Sequence, residues 1–207
     1  MTLTKLDLKH DLRPLYAAGL TPRIVDVPCL RYLMLDGHGD PNTTAGYAAA
    51  VKAIYAVAYA VKSMVRQAEG VDFSVMPLEG LWWSAEKIPY SAGDRANWDW
   101  TLMIAQPEFV TAELLADVRE CAALKSSPEV VAAVRFGTLC EGPCAQVMHI
   151  GPYEDEASVV ARLRDFIACN GRAPVGRHHE IYLSDPNRTA PQRLKTVIRQ
   201  PIAVAAA

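Results

Sequence analysis

The hydrophobic and polar positions of this chain follow two periods that divide it into helices and strands. Between residues 47 and 65 the apolar side chains recur every three or four positions, which places them on one face of a helix that ends at Gly70. Lys52 and Lys62 interrupt this apolar run, so it predicts a buried helix and not a membrane span. Apolar runs bounded by glycine, proline and asparagine predict strands at residues 23–36, 73–84, 98–106, 134–139, 144–150, 177–184 and 194–200.

The same order of elements occurs twice along the chain. Shorter helices are predicted at residues 111–124, 128–133 and 157–168, with Thr111 as an N-cap and a proline in the first turn of the second helix. Each half then has a strand, a glycine-containing turn, a helix and two more strands, although the sequence identity between the halves is weak. This order predicts an α+β fold of two βαββ modules with a ligand cleft between them.

These elements divide the chain into a short arm and one domain. Residues 1–22 form the arm, in which residues 5–16 alternate leucines with charges, and residues 23–207 form the domain. The strand pattern ends at Pro201, after which we expect a frayed tail. Within the domain we expect a first module at about residues 23–107, connecting helices at 108–133 and a second module at about 134–201.

Composition and charge narrow the kinds of partner. The chain has 207 residues, of which 51% are hydrophobic and 21% charged, as is usual for a globular protein. The net charge is -2 and no basic stripe occurs, so we do not expect direct binding to nucleic acid. The first 16 residues carry charges throughout and contain no apolar signal core, which predicts a cytoplasmic protein that is not bound to a membrane.

The cysteines offer little chemistry by their spacing. There are five of them and no CxxC pair, which predicts reduced thiols. The spacing of Cys140 and Cys144 would allow both to bind one metal ion, but the sequence has no second pair of ligands to complete the site. We therefore expect neither a metal nor a cofactor.

All four tryptophans lie between residues 82 and 100 and include two pairs, Trp82 with Trp83 and Trp98 with Trp100, separated by Tyr90. Core packing is one interpretation. However, adjacent residues of a strand point to opposite faces, so Trp82 and Trp83 cannot share one core. The alternative is an aromatic wall, on the side of the sheet away from the helices, that binds flat or cationic ligands.

Glu180 is the second candidate feature. In the segment RHHEIYLS, residues 181 and 183 share one strand face, and His178, Glu180 and Tyr182 share the other. If the apolar face packs on the helices, Glu180 and Tyr182 point into the cleft. The carboxylate there is either a counter-charge for a cationic ligand or a general base for water, but spacing alone favours a solvated strand carboxylate without either role.

The histidines are weaker candidates. His178 and His179 are neighbours on a strand and point apart, so they make a poor metal pair. His149 lies in a strand, a position typical of a structural histidine, and it is also a candidate for ligand contact.

Five segments together resemble the stand-alone branch of the GyrI-like small-molecule-binding family. They are DGHGDPN (36–42), VMPLEGLWW (75–83), WDWTLMIAQPEFVT (98–111), CAQVMHIGPY (144–153) and HHEIYLSDPNRTAPQRLKTVIRQP (178–201). The resemblance implies a tandem βαββ fold shared with the effector domains of multidrug-responsive regulators. It also implies a small hydrophobic or cationic aromatic ligand in the cleft, in contact with a strand carboxylate that Glu180 matches.

The resemblance implies three functions. Some stand-alone members hydrolyse cyclopropane-containing DNA-alkylating antibiotics, which would make Glu180 the base and Trp83, Trp100 and Tyr153 the aromatic clamps. Without catalysis, the protein would sequester lipophilic cations, or modulate a topoisomerase as an interaction partner. The regulators carry a helix-turn-helix before this domain, and the ~20 residues that precede the first strand here do not accommodate one, so we expect no direct control of DNA.

Overall fold

The computed structural model describes residues 4–84 and 95–205, and Tyr90 lies outside them. The elements in chain order are β1 (Thr4–Leu6), α1 (Leu8–Asp11), α2 (Arg13–Tyr16), β2 (Arg23–His38), α3 (Ala45–Glu69), β3 (Val71–Phe73), β4 (Leu78–Ser84), β5 (Trp98–Gln106), α4 (Ala112–Ala123), α5 (Pro128–Ala133), β6 (Arg135–Ile150), α6 (Ala157–Cys169), β7 (Arg172–Pro174), β8 (His178–Tyr182) and β9 (Lys195–Val204). The order β2-α3-β4-β5 is followed by β6-α6-β8-β9, which confirms the α+β fold of two βαββ modules.

The strands of the two modules form one sheet that closes on itself. They pair in the order β6-β2-β5-β4-β8-β9-β7, and β6 also pairs with β9, so six of the strands form a closed circuit of antiparallel pairs. A closed circuit has an inner face and an outer face, and side chains alternate between them along β4, β5, β8 and β9.

The helices α3 and α6 pack on the outer face. The helix α3 spans 25 residues and ends at Gly70, whose φ of 67° is the left-handed conformation that glycine adopts at little cost. By length and composition alone α3 could also cross a membrane. In this fold its apolar face is buried in the main core, while α6 packs Val160 and Leu163 against Val147 and Ile198 in a smaller one.

Several predicted strands have the wrong bounds. The strand predicted at residues 73–84 begins only at Leu78, as β4, and Phe73 ends the separate strand β3. Residues 135–139 and 144–150 belong to one strand, β6, in which Gly142 takes a φ of 64° and stays opposite Val27 in the ladder. The strand β9 does not end at Pro201: it continues to Val204, and Ile202 is buried beneath α6. Pro201 has no N–H to donate, but its carbonyl accepts a bond from the backbone N–H of Val175, at 2.9 Å.

The prediction of reduced cysteines is wrong for one pair. Cys29 on β2 lies directly opposite Cys140 on β6, and the two form a disulfide across 111 residues of chain. Spacing along the chain could not indicate this pairing because it depends on the register of two distant strands. The disulfide also occupies Cys140, so the metal-binding role considered for Cys140 and Cys144 is not available.

The N-terminal arm closes one end of the inner face. Tyr16 is buried, and its hydroxyl donates a hydrogen bond of 2.6 Å to Glu79 Oε1. The carbonyl of Leu15 accepts a bond of 2.7 Å from Arg199, and that of Pro14 accepts one of 2.9 Å from Gln146. These contacts fix the arm to three strands of the domain.

Candidate functional site

A cavity of about 790 Å³ lies on the outer face, between α3 and the strands β4 and β8. The first module contributes α3, β4, Trp98 and the segment 75–77, and the second contributes β8, Tyr153, Glu156 and the loop 183–187. The cavity is thus the expected cleft between the modules, but it lies on the face that also carries the helices.

The helical wall of the cavity is a stripe of side chains spaced four residues apart. Tyr47, Val51, Tyr55 and Tyr59 occupy successive turns of α3 and therefore line one face of it. The rings of Tyr55 and Tyr59 stack with centroids 6.4 Å apart, and Tyr59 is 55% exposed at the rim. This wall offers a ligand the faces and edges of aromatic rings.

Glu180 lies on the opposite wall and is held through both of its carboxylate oxygens. Nε2 of His178 lies 3.0 Å from Oε1, and the hydroxyl of Tyr182 donates a bond of 2.8 Å to Oε2. The indole N–H of Trp82 in turn donates to the Tyr182 hydroxyl at 3.0 Å. Glu180 is only 5% exposed, so these bonds replace most of its contact with water.

Gly80 makes this cluster sterically possible. It lies directly across the ladder from Glu180. A Cβ at Gly80 would stand 2.7 Å from the indole nitrogen of Trp82 and 3.1 Å from the Tyr182 hydroxyl. The absence of a side chain therefore allows Trp82 and Tyr182 to meet over β4.

The tyrosine hydroxyls around Glu180 are held in the protonated form. Burial, followed by the negative charge of Glu180, raises the pKa of Tyr47 and that of Tyr182 above the ordinary phenol value. Burial, followed by the charge of Glu156 and then of Glu180, raises the pKa of Tyr153 to about 12. These phenols serve as hydrogen-bond donors and aromatic surface, not as bases.

The lining combines aromatic rings with negative charge. Among the described residues it contains seven aromatic side chains and three carboxylates, against a single lysine, Lys9. The carboxylates are those of Glu156, Glu180 and Asp185. Such a lining suits flat, hydrophobic ligands and favours a positive charge on them.

Five of the eight predicted site residues line the cavity: Trp82, Trp98, Tyr153, Glu180 and Tyr182. The expectation that the pocket lies on the sheet face away from the helices is wrong. The sheet closes on itself, so the face away from the helices is an inner face that buries apolar side chains such as Ile181. The cavity lies on the outer face, together with the helices. Glu180 consequently faces α3.

Three of the predicted site residues lie outside the cavity lining. Trp83 points to the other side of β4, where the guanidinium of Arg177 lies 3.6 Å above its ring. Trp100 is buried one layer behind the cavity, with its indole N–H bonded to the carbonyl of Gly39 at 3.2 Å. His149 holds the following turn through the carbonyl of Pro152, at 2.9 Å.

The sequence prediction missed the α3 tyrosines, Glu156 and Asp185. The tyrosines carry a recognisable pattern, since positions 47, 55 and 59 share one face of a predicted helix with Val51. Glu156 and Asp185 follow turns of the second module, and nothing in their local sequence distinguishes them from surface carboxylates.

A second polar cluster, here named the inner network, lies on the inner face behind β8 and consists of Glu79, Glu141, His179 and Arg199. His179 Nε2 lies 2.9 Å from Glu79 and Nδ1 lies 3.0 Å from Glu141, whose other oxygen accepts a bond of 3.2 Å from Arg199. Burial lowers the pKa of His179, but the two carboxylates outweigh it and raise the pKa to about 9. The sequence prediction treated His179 only as half of a poor metal pair.

Gly37 supports the cavity from behind, and its replacement provides a stability test. A Cβ at Gly37 would stand 2.1 Å from the ring of Trp100, which itself packs edge-on against Tyr47 at 5.2 Å. We expect Gly37→Ala to lower the free energy of unfolding by about 1–3 kcal/mol through overpacking. Urea denaturation measures this loss. Gly19→Ala is the control, since its nearest neighbour is 4.0 Å away, and equal midpoints for the two variants would contradict the prediction.

The chain is similar to several solved structures over nearly its whole length. An uncharacterized conserved protein from Listeria innocua is 38% identical, covers 96% of this chain and 100% of its own, and has a TM-score of 0.87. Two proteins described as hydrolases from Listeria innocua are 36% and 38% identical, cover 96% and 97% of this chain and 100% of their own, and have TM-scores of 0.83 and 0.85.

The fold extends to a more distant protein. The C-terminal domain of EcmrR is 14% identical, covers 89% of this chain and 98% of its own, and has a TM-score of 0.58, which shows a shared fold alone. No curated protein matches the sequence significantly. The model of the GyrI-like small molecule binding domain matches residues 20–203. The chain therefore belongs to the GyrI-like family of small-molecule-binding proteins.

Proposed function

We propose that this protein binds flat, hydrophobic aromatic molecules in the cavity and hydrolyses electrophilic ones of the cyclopropane-bearing, DNA-alkylating type. The observation that carries the proposal is Glu180, a buried carboxylate on the wall of an aromatic cavity, with one oxygen bonded to His178 and the other to Tyr182. This activity would detoxify alkylating compounds in the cytoplasm.

The reaction needs one base and one fixed geometry. Glu180 removes a proton from water while the water oxygen bonds to a methylene carbon of the strained ring. The breaking carbon–carbon bond leaves its electron pair in the conjugated system of the substrate, which then takes up a proton. The aromatic walls hold the planar part of the substrate, so that the reacting carbon stays close to Glu180.

The similar proteins support the same reaction class. Two of the Listeria innocua proteins, at 36% and 38% identity, are described as hydrolases. The cavity of this chain adds a second supporting observation, a buried carboxylate on the wall of an aromatic cavity.

Isotope labelling tests the proposal directly. The wild-type protein is incubated with a cyclopropane-bearing alkylating compound in water enriched in oxygen-18, and the products are analysed by mass spectrometry. We expect a ring-opened alcohol that carries one heavy oxygen, formed faster than in buffer alone. Tight binding of the compound with no acceleration of ring opening would show that the protein is not a hydrolase of this class.

Sequestration of lipophilic cations is the second candidate. Among the described residues of the aromatic lining, three carboxylates outnumber one lysine, which favours it. This function predicts that a cationic aromatic dye binds more tightly than an uncharged dye of similar size, without turnover of either. Fluorescence titration separates the two functions, because hydrolysis requires the chemical product and sequestration does not.

A further inference from the structure

His178 is a buried polar side chain that the reaction above does not use. It is the first residue of β8 and lies directly across the ladder from Trp82. Its side chain is only 5% exposed, and its Nε2 lies 3.0 Å from Glu180 Oε1. Since His178, Glu180 and Tyr182 alternate along one strand, all three side chains reach the same face.

The other carboxylates of the described cavity lining disfavour a negative charge on Glu180. Glu156 and Asp185 line the same cavity from the start of α6 and from the loop after β8, and like charges disfavour a second negative charge nearby. Tyr47 from α3 and Tyr153 before α6 also face Glu180, and both are protonated phenols. Lys9 is the cation among the described lining residues, and it comes from the N-terminal arm. The charges of the inner network lie on the other face of the sheet.

The contacts that His178 and Tyr182 make with Glu180 counter this effect. A carboxylate that accepts a hydrogen bond at each oxygen is favoured over the neutral acid, and its plane is fixed. Tyr182 supplies one of the bonds and also receives the indole N–H of Trp82, so its position is set by the aromatic wall. His178, the first residue of β8, supplies the other bond.

We propose that His178 is a positioning residue that keeps the Glu180 carboxylate oriented and ionised for ligands in the cavity. This inference rests on the proposed function only in that Glu180 must face the ligand; it does not require turnover. A positioning role for His178 makes the charge on Glu180, and with it the affinity for cations, persist to lower pH than it otherwise would.

The test is the pH dependence of dye binding. Ethidium, which is permanently cationic, and the neutral dye N-phenyl-1-naphthylamine are titrated by fluorescence between pH 4 and 8 into the wild type, His178→Leu, His178→Gln and Glu180→Gln. We expect His178→Leu to move the midpoint of ethidium binding upward by about one pH unit, which is about tenfold weaker binding on the acidic side. His178→Gln keeps an N–H donor near the same position and should restore most of the midpoint. Binding of the neutral dye should not respond to pH in any variant.

A purely structural role for His178 would weaken both dyes alike and leave the midpoint in place, which would overturn the inference. If His178→Leu does not fold, as judged by near-ultraviolet circular dichroism, then His178→Asn, whose shorter donor does not reach Glu180, should show the same upward movement. The variant Glu180→Gln separates the role of Glu180 from that of His178. An effect of Glu180→Gln on ethidium with no movement of the midpoint in the His178 variants rejects the role of His178 alone. No effect of Glu180→Gln on ethidium at any pH rejects both the role of Glu180 and that of His178.

Discussion

Glu180→Gln is expected to lower the rate of ring opening about 10²–10⁴-fold, the usual contribution of a positioned general base. Glutamine has nearly the shape of glutamate and can still accept a bond from Tyr182, but its amide cannot take a proton from water. Affinity for an uncharged, unreactive analogue should change little, since the seven aromatic side chains that hold it remain. Single-turnover kinetics with excess protein measure the chemical step separately from binding.

Two companion variants sharpen this prediction. Glu154→Gln makes the same chemical change at an exposed carboxylate outside the cavity lining, and it should react like the wild type. Glu180→Asp retains a carboxylate but withdraws it by one methylene, so its rate should fall between those of the wild type and Glu180→Gln. Loss of affinity with an unchanged rate constant for bound substrate would mean that Glu180 serves binding alone.

The elements that periodicity predicts well are those whose pattern is set locally. The strand β5 has the predicted bounds, and α4 begins at the predicted N-cap, where the Thr111 hydroxyl accepts a bond from the N–H of Leu114. The alternation along β8 also predicts correctly that Glu180 and Tyr182 share a face. Each of these features depends on residues that are close in sequence, within one or two turns of a helix or one or two repeats of a strand.

The features that the sequence could not predict depend on strand register. Which face of β8 meets the helices follows from the closure of the sheet by the pairing of β6 with β9. The same closure brings Glu79, Glu141 and Arg199 around His179 from three other strands, and strand register places Cys29 opposite Cys140. An alternating pattern shows that a strand has two faces, but it does not show what each face will contact.

The strand β8 therefore has a separate polar system on each face. His178, Glu180 and Tyr182 point toward the cavity, and His179 points to the inner network. The neighbouring histidines thus contact separate carboxylates, and the inner contacts fix the strand that carries Glu180. A precise position for the proposed base depends on this support.

His179→Leu is expected to lower the free energy of unfolding by about 3–5 kcal/mol near pH 6, because it leaves two buried carboxylates without a shared partner. His179 is fully buried, with Glu79 and Glu141 at its two ring nitrogens. Urea denaturation at several pH values measures the loss. The control is His38→Leu: His38 also pairs with a carboxylate, Asp99 at 2.9 Å, but its side chain is 62% exposed, so the change should cost less than about 1 kcal/mol.

The pH dependence of this loss distinguishes the ion pairs from simple packing. The pKa of His179 is raised from 6.5 to about 9 in the folded protein, so its charge stabilises the fold fully below pH 6.5 and ceases to do so as the pH rises through about 9. The wild type should therefore lose stability across this window, while His179→Leu, which has no such charge to lose, should not. The difference between the two proteins narrows as the pH rises. A difference that stays constant from pH 6 to pH 10 would mean that His179 acts through its volume and not through its charge.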